Sequence, residues 1–322
     1  MKNTLACAVI ALAYAACLPL CSSLAAQNRP AQSPHESRIP VGGAALYSRD
    51  VGQGTPVVVL HGGPDFDHSY FLPELDRLSD SFHLIYYDQR GRGRSAEGVQ
   101  PHEVTLASEM EDLDKVRQHF HLDSMVLLGH SWGAVLALEY ALRHPQRVSH
   151  LILMNPAPAS TADYRQLRKD WLDKRPDDME RRKAIASSAA YKEGDPEAVT
   201  AYYRIHFQPA FARSGDYQKF MARLKSSFTK EGILKARAVE DRLMTETWAL
   251  PNYDLLPKLR DLKVPTLVIH GDHDFIPATT AEHIADAIPK ARLVTLKDCG
   301  HFAYMECPAA VRQNIDAFFR LK

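Results

Sequence analysis

Charge of one sign is not in excess: Lys plus Arg and Asp plus Glu each number 39 in 322 residues. A chain so balanced offers no field to hold nucleic acid or an anionic membrane surface. Cysteine is scarce, at 5, which excludes a disulfide scaffold. There is no glycine-rich phosphate loop, no dinucleotide fingerprint, no internal repeat and no low-complexity block. His270, His273 and Asp274 lie close together, but no second cluster with ligand spacing accompanies them, so no metal is expected. A hydrophobic fraction of 45% with 24% charged residues describes an ordinary globular protein with enough chain for a substantial core.

The amino terminus reads as a processing segment. Lys2 precedes an apolar run from Leu5 to Leu20, followed by Ser22, Ser23, Leu24, Ala25 and Ala26. A positive start, an apolar stretch and small residues in that order make a secretory signal peptide, cleaved after Ala25 or Ala26. The run is short for a membrane span of about 20 residues. Residues 1–25 are therefore expected to be the signal and 26–40, rich in Pro, Ser and Gln, a flexible tether. The expected location is periplasmic or secreted, without stable membrane association once the signal is removed. Cleavage leaves Cys299 and Cys307 as the remaining cysteines. Export allows them to form a small loop, but two separate thiols near a site is the reading preferred here.

Beyond the tether, short apolar runs alternate with helical periodicities. Val57–Leu60, Leu84–Tyr87, Met125–Leu128, Leu151–Met154, Thr266–Ile269 and Leu293–Leu296 predict buried strands. Thr105–His119, Trp132–Arg143, Thr280–Ala287 and Pro308–Arg320 carry helical spacing. Such alternation predicts an α/β fold, a mostly parallel sheet with helices on both faces. From about Ala157 to Leu250 no strand pattern occurs, and Asp195-Pro196-Glu197 is a good helix start. The expected layout is a core over 41–156, an inserted all-helical cap over 157–250, and the second part of the core over 251–322.

The residues with chemistry stand at strand ends. Gly129-His130-Ser131-Trp132-Gly133 follows one strand and opens a helix, the context of a nucleophile elbow. His61-Gly62-Gly63-Pro64 follows another, where backbone N–H groups of Gly63 and Trp132 are candidates for an oxyanion hole. A serine needs a base, and the base needs an orienting group. Gly271-Asp272-His273-Asp274 and Gly300-His301 supply these in the chain order Ser, acid, His. The expected catalytic residues are Ser131, Asp274 (chosen over Asp272, which suits a loop cap) and His301.

These motifs resemble the α/β-hydrolase superfamily over nearly the whole mature chain, and more narrowly the proline iminopeptidase family. The narrower resemblance rests on His61-Gly62-Gly63-Pro64, on Asp88-Gln89-Arg90-Gly91-Arg92-Gly93-Arg94-Ser95, and on Gly129 to Gly133, with Gly271–Pro277 and Gly300-His301 completing it. It implies a cofactor-free serine aminopeptidase releasing N-terminal residues from small peptides, with Gly63 as an oxyanion donor and Asp88–Ser95 as a structural loop. Two departures bear on substrate. The family loop continues H-G-G-P-G, whereas Asp65 follows Pro64 here. The family's W-x-x-W-E pattern, whose acid binds the substrate amine, meets only Tyr202-Tyr203-Arg204-Ile205-His206. Asp65 and the cap residues Glu193, Glu197, Glu231, Glu240 and Glu246 are the acids available; Asp65, Tyr202 and Glu246 are taken as the substrate-binding set. Tyr191, Tyr202, Tyr203, Phe207, Phe211 and Trp248 are further candidates to line the pocket. The alternative is a carboxylesterase or lactonase with the same triad. A carbon–carbon hydrolase is more distant, Ser at 131 disfavours an Asp-nucleophile hydrolase, and a full catalytic set disfavours a binding protein on an inactive scaffold.

Overall fold

A computed structural model describes residues 33–320. The expected signal peptide, its cleavage site and the first part of the tether lie outside the described residues. Eight strands form one sheet: β1 (His35–Val41), β2 (Ala44–Val51), β3 (Thr55–Leu60), β4 (Phe82–Tyr87), β5 (Met125–His130), β6 (Val148–Met154), β7 (Thr266–Gly271) and β8 (Ala291–Leu296). Their spatial order is β1-β2-β4-β3-β5-β6-β7-β8. β1–β2 and β2–β4 pair antiparallel and every other neighbour pair is parallel.

The central strands are apolar on both sides because both faces are covered. Val58, Leu60, Ile85 and Tyr87 join one core, while Val57, Val59, Leu84 and Tyr86 join the other, following the two-residue period of a strand. Helices α1 (Leu106–His119) and α2 (Trp132–Arg143) cover the first face. Thr105 starts α1 by accepting a hydrogen bond from Ser108 N. α2 is almost wholly apolar and buried, so it sits between the sheet and its neighbours.

Between β6 and β7 the chain forms α3 (Thr161–Lys174), α4 (Pro176–Ser187), α5 (Ala189–Lys192), α6 (Pro196–Phe207), α7 (Ser214–Ser227), α8 (Lys230–Met244) and α9 (Leu256–Leu259). No strand lies there among the described residues. Asp195 caps α6 by accepting from Ala198 N at 2.8 Å. After β7 come α10 (Ala278–Ala287), α11 (Ala303–Glu306) and α12 (Pro308–Arg320). α10 adds Ala281 and Ile284 to the first face, and α12 buries Val311, Ile315 and Phe318 on the second.

Two expectations are corrected. The tether does not reach Pro40: His35–Val41 is strand β1, paired along its length with β2. Only Ile39 and Val41 bury their side chains, so the strand carries too little apolar pattern to be read from sequence. Cys299 and Cys307 are not separate thiols but a disulfide, with Cα atoms 6.2 Å apart, inside the range such a bridge spans.

The strand order reverses between β3 and β5, since the chain goes to β4 on one side of β3 and to β5 on the other. In open α/β sheets the crevice at such a switch, at the carboxyl ends of the strands, is where ligands bind.

Candidate active site

Ser131 stands at the switch, between the end of β5 and the start of α2. Its backbone is at φ 54°, ψ −118°, a conformation that a residue with a side chain adopts at a cost of about 1–3 kcal/mol. The turn is held by Ser131 N donating to Met154 O, and by Ala134 N and Ala157 N donating to Ser131 O. The flanking glycines are required by close approach. A Cβ on Gly133 would lie 2.1 Å from Leu60 O, and one on Gly129 would lie 2.4 Å from Gly133 O. The elbow is therefore wedged directly against β3, which ends in the His61–Gly63 loop.

His301 is buried, and its Nδ1 lies 2.9 and 3.0 Å from the two Asp274 oxygens. A carboxylate only accepts, so Nδ1 carries the proton and Nε2 is left with its lone pair. Asp274 Oδ1 also accepts from Ile276 N, and Oδ2 from Asn155 Nδ2 at 2.8 Å. Burial alone would raise this carboxyl; the His301 and His270 imidazoles and the Ile276 N–H together hold it below its ordinary value. Asp272 instead pairs with exposed His273 and accepts from Cys299 N, a loop-holding role. Asn155 was not among the residues singled out from sequence. It follows β6 in a left-handed conformation (φ 48°), which asparagine tolerates better than most residues, and also donates to Gly300 O.

The loop after β3 is fixed from two sides. Gln89 N donates to His61 Nε2 and Gln89 Nε2 to His61 O, so His61 Nδ1 donates to Gly62 O. Asp88–Ser95 thus acts as a structural brace, its Arg92 forming a fully buried pair with Glu109. On the other side Gly62 N donates to the Tyr70 hydroxyl at 2.6 Å. Gly63 is at φ 124°, and a Cβ there would meet Asp65 N at 2.2 Å, so only glycine fits. Among the described residues neither Gly63 N–H nor Trp132 N–H has a protein acceptor. Trp132 is the first residue of α2, where backbone donors have no partner within the helix.

A cavity of about 130 Å³ joins these elements. Gly63, Ser131 and His301 line it from the core, and Arg182, Tyr202 and Glu240 from the helices between β6 and β7. Asp65 lines it too, its Oδ2 accepting a hydrogen bond from the Tyr203 hydroxyl. Burial raises the Asp65 carboxyl, opposed by the Tyr203 hydrogen bond. Burial and then the Asp65 charge push Glu240 well above its ordinary value, against the opposing pull of Arg237.

The substrate-binding set is thereby revised. Asp65 and Tyr202 face the cavity, but Glu246 does not: it accepts from Leu106 N at the start of α1 and pairs with Arg242. Glu240, one of six candidate acids, takes the place assigned to it. Glu240 lies on α8 and faces inward, whereas Glu246 lies in the turn that follows the helix. Tyr191, Tyr202, Tyr203 and Phe207 line the cavity, whereas Phe211 stacks on Phe302 and Trp248 donates to Pro158 O outside it.

The profile of the α/β hydrolase fold matches residues 55–308, and the chain belongs to that family; it is a hydrolase. It is 30% identical over 274 residues to a proline iminopeptidase of Saccharolobus solfataricus, a match covering 81% of this chain and 83% of the relative. Among solved structures, a proline iminopeptidase of Mycobacterium smegmatis superposes with TM-score 0.67 at 22% identity, over 89% of this chain and 98% of that one. A thermophilic esterase of Thermogutta terrifontis gives TM-score 0.63 at 26% identity, over 89% and 98%.

Proposed function

We propose that this chain is an exported serine aminopeptidase of proline iminopeptidase type, acting on short peptides or their small analogues. The observation that carries the reading is the pair of enclosed carboxylates, Asp65 and Glu240, in the cavity that also holds Ser131 and His301. A free substrate ammonium would pair with these two partly buried acids, which is the selective element an ester hydrolase does not need. The proline iminopeptidase relative covering most of the chain supports the same choice.

In this reading Ser131 Oγ attacks the substrate carbonyl carbon while His301 Nε2 takes its proton, and Asp274 stabilises the imidazolium. Gly63 N–H and Trp132 N–H receive the developing oxyanion, a contribution of about 3 kcal/mol per donor in related sites. The tetrahedral intermediate expels the amine, protonated by His301, and water then releases the acyl group from Ser131 by the same steps in reverse. No cofactor takes part in these steps.

The second reading, a carboxylesterase on small acyl esters, is favoured by one observation: burial raises both carboxyls of the Asp65–Glu240 pair, which disfavours their charged forms beside a neutral acyl group. The deciding experiment compares the native protein with Ser131→Ala on prolyl and alanyl arylamides, their N-acetylated forms and a short aryl ester. Ser131-dependent cleavage of the free-amine arylamides, lost on acetylation, is expected. Turnover of the ester alone would leave the esterase reading.

A further inference from the structure

A second cavity of about 500 Å³, nearly four times the first, lies behind the one that holds Ser131. The two share a wall made of Asp65, Phe66, Tyr70 and Tyr203. Phe66 and Tyr203 pack at 5.2 Å between ring centres, and the Tyr203 hydroxyl closes the remaining gap by donating to Asp65. Asp65 is the residue at which the chain departs from the H-G-G-P-G loop. The same position that would be glycine therefore carries the side chain that completes the wall.

The second cavity has the polarity of a binding site rather than of a packing defect. Four arginines reach its lining. Arg49 is spent on Asp76, Arg94 on Glu36 and Arg223 on Glu74. Arg237 differs: it has no ion pair among the described residues, one Nη donating to Tyr191 O and the guanidinium lying 3.8 Å over the Tyr191 ring, while its Nε and other Nη are enclosed without a hydrogen-bond partner. Unspent N–H groups of that kind are costly unless an acceptor arrives. A substrate carbonyl becomes such an acceptor once the Arg237 side chain turns into the cavity it lines.

We propose that the Asp65–Tyr203 contact is a partition that limits the substrate to one residue on its amine side, and that the cavity behind it is a latent second subsite for a polar N-acyl or peptidyl extension. This rests on the aminopeptidase reading for its orientation, since the amine end points at Asp65. With the partition closed, an N-acylated residue has no room; with it removed, the acyl group enters the cavity that Arg237 lines.

The test uses 4-nitrophenyl esters of acetate and of N-acetylglycyl-alanine, on native protein, Asp65→Gly and Tyr203→Ala, with Tyr203→Phe as the smallest change. The ratio of kcat/KM for the long ester over the short one is the readout, so a general loss of activity cancels. A rise of about tenfold, ~1.4 kcal/mol, in either opened variant is expected, and a smaller rise in Tyr203→Phe. Adding Arg237→Met to Asp65→Gly should reverse the gain. An unchanged ratio in all three single variants overturns the proposal. Alanyl arylamide is run on the native protein alongside: failure there sinks the aminopeptidase reading while the ester ratio still decides the partition.

Discussion

The Tyr70 hydroxyl lies 2.8 Å from His130 Nδ1, and this contact fixes the protonation of both groups. Tyr70 already accepts from Gly62 N, so its own proton goes to His130 Nδ1; His130 Nε2 then donates to the His301 carbonyl at 3.0 Å. Burial drives the His130 pKa down to about 3, which keeps the ring neutral and able to both accept and donate. The Gly62–Gly63 loop, the turn at Ser131 and the loop of His301 are thereby linked through one tyrosine and one histidine.

Tyr70→Phe keeps the ring packing and removes that link. Gly62 N–H loses its acceptor and the Gly63 loop its anchor, so the effect belongs to the transition state. We expect kcat to fall about tenfold with KM little changed, an indirect loss smaller than the roughly 10²–10³ for deleting an oxyanion donor outright. Steady-state kinetics on an aryl ester check it; a change confined to KM would show that the chain of bonds does not reach the oxyanion site.

Asn155→Ala tests the support of Asp274. Without the Asn155 N–H, the Asp274 charge is less dispersed and pulls more strongly on the His301 imidazolium. With one donor lost, the buried Asp274 carboxyl is less well held in its ionised form, so kcat/KM should fall further as the pH is lowered. A pH–rate profile measures it. A uniform loss at every pH would mean that Asn155 only holds the fold.

The parts of this architecture that were legible in sequence share a physical trait. β3 to β8 are buried on both faces or end in turn residues, so short apolar runs mark them, and the glycines around Ser131 and His61 announce close backbone approach at strand ends. β1 and β2 lie at the antiparallel end of the sheet, and β2 buries Ser48 and Arg49, polar residues satisfied by Ser37 and Asp76, so no hydrophobic pattern reveals it. Asn155 meets Asp274 across 119 residues and Tyr203 meets Asp65 across 138. Glu240 and Glu246 look alike in sequence, but α8 ends between them, leaving one as a cavity acid on the helix and the other in the turn beyond it, where it caps α1. Where function depends on which side of a cap helix faces inward, local pattern carries no information.

Glu240→Gln should separate amine binding from chemistry. An amine-binding carboxyl acts when ionised, and burial raises the Glu240 pKa. Below that raised value the acid is protonated and free-amine substrates bind weakly, so native kcat/KM on alanyl arylamide should climb with pH over a range where turnover of a neutral ester is already flat. In Glu240→Gln the climb should vanish and KM for the arylamide rise about tenfold or more, with the ester profile retaining its shape. Parallel pH profiles on the two substrates check this; a climb that persists in the variant would assign the amine to Asp65 alone.

The Cys299–Cys307 bridge ties the ends of the segment that carries Gly300 and His301 to the start of α12, closing a loop with sequence separation 8. For a loop of that size the loss of unfolded-chain entropy is worth roughly 2–3 kcal/mol. Reduction, or Cys307→Ser, should lower the melting temperature by about 5 °C. It should also lower kcat more than KM, since His301 sits two residues from Cys299 and depends on its loop for aim. Calorimetry and kinetics with and without reductant measure both effects. The same bridge bears on compartment: protein recovered after export should titrate with no free thiol outside the signal, and protein made without residues 1–25 in a reducing cytoplasm with both. Two free thiols in the exported protein would remove the bridge as a stabilising element and weaken the case for an oxidising destination.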